Sequence, residues 1–132
     1  MTTLTGRCFC GQLRWTSPGP VLWAGHCHCE SCRRATSAPF TSFVGVERDS
    51  VTWTGEAAIH DSSPGTQRGY CPRCGSQMFY HSDRWADQTH LYAASLDDPR
   101  QYEPKAHFHW AERVPWLEIE DDLPKYEGTA GG

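Results

Sequence analysis

Long apolar stretches and an excess of positive charge are both missing from this chain of 132 residues. No apolar run approaches the roughly 20 residues that a membrane-spanning helix needs, so we expect no membrane contact. The formal net charge is -4, which argues against nucleic-acid partners because duplex binding needs a basic face. The first residues have neither the basic nor the apolar region of a signal peptide, and we therefore expect a cytoplasmic protein.

Patterns typical of long helices and of internal repeats are missing as well. Hydrophobic residues make up 38% of the chain and the mean hydropathy is -0.63, which predicts one soluble domain, 1–132, with a thin core. We expect an ordered part at 6–126 and a flexible C-terminal tail at 127–132. The predicted elements are one short helix at 30–36 and strands at 12–16, 40–46, 51–54, 77–81 and 90–94. The predicted fold class is mainly β, with small antiparallel sheets.

Cysteines are the most informative residues that are present. They fall into three groups: Cys8 and Cys10; Cys27, Cys29 and Cys32; Cys71 and Cys74. In a reducing compartment, clustered cysteines are more often metal ligands than disulfides, and disulfides would leave one of the seven without a partner. Two pairs make a four-thiolate site and the triplet makes a three-thiolate site. The grouping therefore predicts two zinc sites, one closed and structural, one open and able to do chemistry.

The closed site would combine two distant parts of the chain. Cys71 and Cys74 are spaced as in a zinc knuckle and are followed by Gly75, which can take a backbone conformation that other residues disfavour. Cys8 and Cys10 would supply the other two ligands. A metal held by all four would close a long loop and stabilise the fold.

The open site would be built from three sulfurs within six residues. In an extended segment Cys27 and Cys29 point to the same face, and a turn would bring Cys32 back to them. Two alternatives remain at this point. His26 or His28 could supply a fourth ligand and close the site, or the triplet could be a reactive thiol cluster without metal.

Several blocks of sequence resemble one protein family when they are taken together and in order. The blocks are 6–15 with its Cys-x-Cys-Gly, 27–34 with the cysteine triplet and paired arginines, 68–76 with the knuckle, and 96–99, 115–116 and 123–126 in the C-terminal half, together with Pro104, His107 and Trp110. They resemble the glutathione-dependent formaldehyde-activating enzymes and their centromere-protein-V relatives. The resemblance covers about 6–126, nearly the whole chain. One departure is the stretch 35–40, where that family often has a glycine and this chain has none.

This resemblance implies a fold and a set of ligand roles. The fold is two small antiparallel sheets around a structural zinc, similar to the Mss4-like (β-tent) fold. The structural zinc would be held by Cys8, Cys10, Cys71 and Cys74. The catalytic zinc would be held by Cys27, Cys29 and Cys32. Both assignments agree with the grouping of the cysteines.

The resemblance also implies an activity, that of a carbon–sulfur lyase that joins glutathione and formaldehyde as S-hydroxymethylglutathione. Glutathione is an anion with two carboxylates, and Arg33, Arg34, Arg68 and His107 are candidates to bind it. His107 and His109 alternate around Phe108, so one face of that segment could line the pocket and supply a proton donor.

Two other functions fit the same residues. The chain could be a non-catalytic zinc protein that binds glutathione or another thiol, or a zinc-folded interaction module. The acidic balance of the chain counts against a chromatin role for such a module.

Overall fold

β-Strands predominate in the computed structural model, which describes residues 3–129. In chain order the strands are β1 Leu4–Arg7, β2 Arg14–Ser17, β3 Trp23–Cys27, β4 Thr41–Glu47, β5 Thr52–Thr54, β6 Ala58–Ser63, β7 Thr66–Tyr70, β8 Gln77–Ser82, β9 Gln88–Tyr92 and β10 His107–Phe108. The α-helix found in the described part of the chain is α1, Glu30–Thr36. Single 3₁₀ turns cover Arg48–Ser50, Asp83–Trp85, Ala93–Ser95, Pro99–Gln101 and Trp110–Glu112.

By its contacts the chain divides into two units that interleave along the sequence. The first unit comprises residues 3–23 and 44–102, and the second comprises 24–43 and 103–129. Strands β3 and β4 each contain residues of both units. That the whole chain forms one domain stays a prediction.

Two sets of strands make up most of the first unit. Strand β2 pairs antiparallel with β1 and with β5, while β9, β8, β7 and β6 are hydrogen-bonded neighbours in that order. The β6–β7 hairpin turns at Gly65, whose φ of +75° is favoured only by glycine. The mainly β fold class is therefore confirmed.

The core of the first unit is aliphatic, aromatic and sulfur-containing. Trp15 is buried between strands, and its indole N–H donates to Ser95 Oγ at 3.0 Å, so the ring loses no hydrogen bond on burial. Cys8 and Cys71 belong to the same cluster as Leu13 and Trp15. The four-cysteine site is therefore part of the core rather than an attachment to its surface.

The second unit is built on a short parallel pair and the helix. Strand β10 runs parallel to β3, with His107 opposite His26 and Phe108 opposite Cys27, whereas the sequence suggested antiparallel sheets alone. A glycine at position 25 permits this approach, because a Cβ there would collide with the ring of Phe108. The interior of the second unit is polar, since His28 and His107 are among the most deeply buried side chains.

Within the described residues, no helix is long and apolar enough to cross a membrane. Of the predicted C-terminal tail 127–132, residues 130–132 lie outside the described part of the chain. Residues 127–129 form a bend in which the Gly128 carbonyl accepts a hydrogen bond from His109 N–H. The flexibility of this tail stays a prediction.

Candidate metal centres and active site

The first unit brings together the four cysteines that the sequence assigned to a closed site. The sulfurs of Cys8, Cys10, Cys71 and Cys74 all lie within 4.8 Å of one another. Cys10 Sγ lies 3.6 Å from Cys8 Sγ and 3.8 Å from Cys71 Sγ. A zinc–sulfur bond of about 2.3 Å in a tetrahedron implies an edge of about 3.8 Å, whereas a disulfide needs about 2.05 Å. The donor set therefore fits a tetrahedral Zn²⁺.

Two tight turns aim these sulfurs at one point. Cys8 N–H donates to Leu13 O at 2.9 Å, and Cys71 N–H donates to Ser76 O at 2.9 Å. Gly75, after the second pair, has a φ of +80°, a left-handed conformation that glycine adopts without strain. The chain thus folds each cysteine pair back on itself, as a metal-binding knuckle requires.

Hydrogen bonds to the sulfurs of Cys8 and Cys74 favour the thiolate form that binds metal. Burial opposes ionisation of Cys8, but Leu13 N–H donates to its Sγ at 3.3 Å and, with neighbouring thiols, lowers its pKa. Ser76 Oγ lies 3.2 Å from Cys74 Sγ, and the hydroxyl and backbone of Ser76 lower the pKa of Cys74 to about 5. Ser76 Oγ also accepts from Phe9 N–H at 3.0 Å. One serine therefore supports both knuckles.

The second unit brings together the cysteine triplet. Cys27 ends β3, Cys29 is the N-cap of α1, and Cys32 lies within the helix. Their three sulfurs also lie within 4.8 Å of one another. Cys29 Sγ accepts Cys32 N–H at 3.3 Å, so the sulfur caps the helix that carries its neighbour. The end of the strand and the start of the helix thus bring three thiol donors together, and such a donor set suits zinc.

The three cysteines of this triplet differ in how readily they form a thiolate. Hydrogen bonds from the thiols of Cys27 and Cys32 lower the pKa of Cys29, with a smaller contribution from the charge of His109. The same bonds with Cys29 and Cys32 raise the pKa of Cys27. Within the triplet the thiolate form is therefore favoured at Cys29 over Cys27.

The neighbouring histidines point away from the three sulfurs. His28 Nε2 lies 2.8 Å from His107 Nδ1, and His107 Nε2 lies 2.8 Å from Asp121 Oδ2. His26 Nδ1 lies 2.8 Å from Ser42 Oγ. Burial lowers the pKa of His28 to about 4, and the bond with His107 lowers that of Asp121 to about 2. Neither His26 nor His28 joins the sulfur group in the described part of the chain, which does not favour a site closed by histidine.

The four residues that were candidates to contact glutathione occupy different surroundings. Arg33 Nε donates to His28 O at 3.3 Å, and Arg34 pairs with Glu30 at 2.8 Å on the exposed side of α1. Arg68 belongs to the first unit, where its buried guanidinium donates to Ser62 and Tyr92.

The fourth candidate, His107, is 0% exposed, and both of its ring nitrogens are engaged. A contact between this imidazole and substrate would require the internal network to open. The roles of the four candidates stay predictions, and the geometry favours Arg33 and Arg34 over the other two.

Sequence reasoning missed two acidic residues of the second unit. Asp121 ends the buried histidine chain, and Glu112 accepts Glu30 N–H at 3.0 Å at the start of α1. Asp121 stands in an acidic stretch that looks like solvated surface. A spacing of three residues between His109 and Glu112 was the available signal, since such pairs meet in helical turns.

Comparisons with known proteins agree on one family. Residues 3–112 match the family described as "Glutathione-dependent formaldehyde-activating enzyme". A protein of Halomonas elongata named "Putative glutathione-dependent formaldehyde-activating enzyme" is 30% identical over 131 residues, covering 89% of this chain and 81% of that protein. An uncharacterized lyase of Schizosaccharomyces pombe is 28% identical over 80 residues, covering 61% of this chain and 58% of that protein.

A solved structure supports the fold alone. The crystal structure of a Rhodobacter sphaeroides protein superposes with a TM-score of 0.60 at 17% identity, covering 73% of this chain and 92% of the other. At this level of identity the likeness extends to the backbone arrangement and not to the chemistry.

Proposed function

Because this chain belongs to the family of glutathione-dependent formaldehyde-activating enzymes, we propose that it is a carbon–sulfur lyase that forms S-hydroxymethylglutathione from glutathione and formaldehyde. The relatives named for that enzyme and for a lyase support an enzymatic role. The proposed location is the cytoplasm, where the seven cysteines would stay reduced.

The observation that carries the proposal is the cluster of three sulfurs with no fourth ligand from the described residues. Cys27, Cys29 and Cys32 would hold a zinc ion, and Cys8, Cys10, Cys71 and Cys74 would hold a second one. A catalytic zinc with a free coordination position supplies Lewis-acid chemistry, which favours the thiolate form of a thiol or polarises an aldehyde oxygen.

Residues of the second unit would orient the substrates around this cluster. Helix α1 fixes Cys29 and Cys32, and its last turn carries Arg33 and Arg34. Their positive charge suits the carboxylates of glutathione. Arg34 already pairs with Glu30, an exposed ion pair that contributes little to stability and could exchange for a substrate carboxylate.

The reaction is balanced without any oxidant or reductant. The thiol of glutathione loses its proton, its sulfur forms a bond with the carbonyl carbon, and the carbonyl π electrons move to oxygen. That oxygen then takes up one proton. Holding both reactants in one orientation would accelerate this addition by removing the entropy cost of their encounter.

The test is the exchange between free formaldehyde and S-hydroxymethylglutathione at equilibrium. Magnetisation-transfer NMR with isotopically labelled formaldehyde would compare the zinc-loaded protein with a Cys29→Ser variant and with buffer alone. We expect exchange above the uncatalysed background with the protein and background exchange with the variant. Both samples would first be shown to be folded by circular dichroism.

Background exchange from the fully zinc-loaded protein would contradict the proposal. Glutathione binding measured by titration calorimetry would then identify a thiol-binding protein without this activity. If glutathione did not bind either, the remaining interpretation would be a zinc-folded interaction module.

A further inference from the structure

A histidine–glutamate pair lies beside the cysteine triplet. His109 Nδ1 and Glu112 Oε2 are 3.1 Å apart, and the other carboxylate oxygen, Oε1, accepts Glu30 N–H at 3.0 Å. Glu30 directly follows Cys29, the N-cap of α1. One carboxylate therefore connects the imidazole of His109 to the backbone that carries Cys29.

The strand register places the backbone of His109 next to the triplet. Phe108 lies opposite Cys27 in the β10–β3 pair, and His28 N–H donates to Phe108 O at 2.9 Å. His109 follows at once, so its backbone leaves the pair at the level of the triplet.

The two ring nitrogens of His109 have different surroundings. The carboxylate of Glu112 accepts the proton of Nδ1, which leaves a lone pair on Nε2 in the neutral ring. Nε2 has no hydrogen-bond partner among residues 3–129, and the side chain is 31% exposed. A carboxylate that orients one imidazole nitrogen and leaves the other accessible is the arrangement that proton-transfer histidines use.

The backbone at His109 is also unusual. Its φ of 53° and ψ of 42° are left-handed, a conformation that costs a residue with a side chain about 1–2 kcal/mol. Hydrogen bonds hold it there: His109 N–H donates to Gly128 O, and Trp110 N–H donates to Tyr126 O, both at 2.9 Å. Such strain persists only where the surrounding structure holds it, and residues strained in this way cluster at active sites.

We propose that His109 is the proton-transfer residue of this site and that Glu112 is its positioning residue; this rests on the proposed function. Nε2 takes the proton from the thiol of glutathione as the carbon–sulfur bond forms. The carbonyl π electrons move to oxygen, and Nε2 returns the proton to that oxygen to give the hydroxymethyl group. Breakdown of the product runs through the same transfers in reverse.

The first variant for the test is His109→Gly. Glycine accepts the left-handed conformation without cost, so the backbone is preserved and the imidazole alone is removed. We expect exchange to slow by about 100-fold or more, the usual contribution of general acid–base catalysis. Free imidazole added to the variant restores part of the rate, whereas it does not accelerate the unsubstituted protein. Zinc content and the affinity for glutathione stay unchanged.

A matched control is His60→Gln, which removes an exposed imidazole from β6 in the first unit. This variant keeps the full rate. Full exchange by His109→Gly, or a loss that imidazole does not restore, would overturn the role of His109 while leaving the proposed function intact. Background exchange by the unsubstituted zinc-loaded protein would overturn both.

The second variant, Glu112→Gln, tests the orientation of the ring without removing it. The glutamine can still accept Glu30 N–H, but its amide donates toward Nδ1 and favours the tautomer with the proton on Nε2. We expect a slower exchange together with a changed tautomer of His109, seen in nitrogen-15 NMR of the imidazole. An unchanged rate with a changed tautomer would contradict the proposal.

Discussion

Ser76 shows how a single hydroxyl can serve two separate turns of the chain. Its Oγ accepts Phe9 N–H from the first cysteine pair and lies 3.2 Å from Cys74 Sγ in the second. Partners of this kind orient metal ligands and tune their basicity, so they affect metal affinity without touching the metal. At the scale of the residue, stability of the four-cysteine site therefore depends on more than its four sulfurs.

Substituting Ser76→Ala tests this dependence. Without the hydroxyl, the pKa of Cys74 rises from its lowered value and the two turns lose a shared contact. We expect zinc to bind the four-cysteine site about 10–100-fold more weakly, as measured by competition with a chromophoric chelator in a Cys29→Ser background, which removes a ligand of the other site. Ser63→Ala, an exposed position on β6, is the control that keeps full affinity. Equal affinities in the two variants would contradict the role of Ser76.

At the scale of the element, helix α1 combines a cysteine cap at one end with a strained turn at the other. Cys29 Sγ accepts Cys32 N–H at its start. Ser37 ends it in a left-handed conformation with a φ of 54°, and Ala38 N–H closes the end by donating to Arg33 O. Glycine is the usual residue at this position. The missing glycine of the stretch 35–40 thus corresponds to a specific backbone requirement.

Substitution of Ser37→Gly relieves that strain. The side chain is exposed, so little packing is lost. We expect a gain in the free energy of unfolding of about 0.5–1 kcal/mol, because the relief of left-handed strain exceeds the extra entropy of glycine in the unfolded chain. Thermal unfolding of the zinc-loaded protein would measure it. Ser31→Gly, inside the helix, should destabilise instead, and a loss of stability in both variants would refute the argument.

The sequence predicted some of these elements well and missed others. The helix was predicted at 30–36 and is found at Glu30–Thr36. Strands β1, β3, β6 and β7 were missed, and three of them (β1, β3 and β7) contain a glycine, which weakens the strand pattern. In these three strands the glycine makes room for an aromatic ring: Gly6 for Trp15, Gly25 for Phe108 and Gly69 for Phe79. Propensity rules cannot predict this packing, because the ring belongs to a residue elsewhere in the sequence.

Prediction of the candidate site from the sequence has the same limit. The seven cysteines could be grouped from their spacing, because the members of each pair or triplet are close in sequence. The structure brings the sulfurs of each predicted site together. The contact between Glu112 and Glu30 N–H joins residues that are 82 positions apart. Nothing local marks Glu112 as a partner of α1, so only the folded chain reveals it.

At the scale of the whole molecule, each of the two units contains one cysteine cluster. The four-cysteine cluster lies in the core of the first unit, whereas the triplet lies in the second beside a polar interior of histidines. A site with three protein ligands binds zinc less tightly than one with four. The two metals should therefore differ in lability, and in what their loss does to the chain.

Stepwise removal of zinc tests that difference. With increasing chelator we expect one equivalent to leave first, with loss of formaldehyde exchange and little change in circular dichroism. The second equivalent leaves later and together with cooperative unfolding, since structural zinc contributes on the order of 10 kcal/mol to folding. Cys29→Ser should show the second step alone. Unfolding that accompanies the first equivalent would contradict this assignment.

The interleaving of the two units has a consequence for the order of events during synthesis. All four ligands of the first cluster, and strands β1 to β9, have been made by residue 92. The triplet is complete much earlier, at Cys32, yet β10 and Glu112, which hold its surroundings, follow only after residue 106. On the ribosome the first unit can therefore capture its metal while the triplet is still exposed and unsupported. The surroundings of the triplet are therefore completed last, after every strand of the other unit has been made.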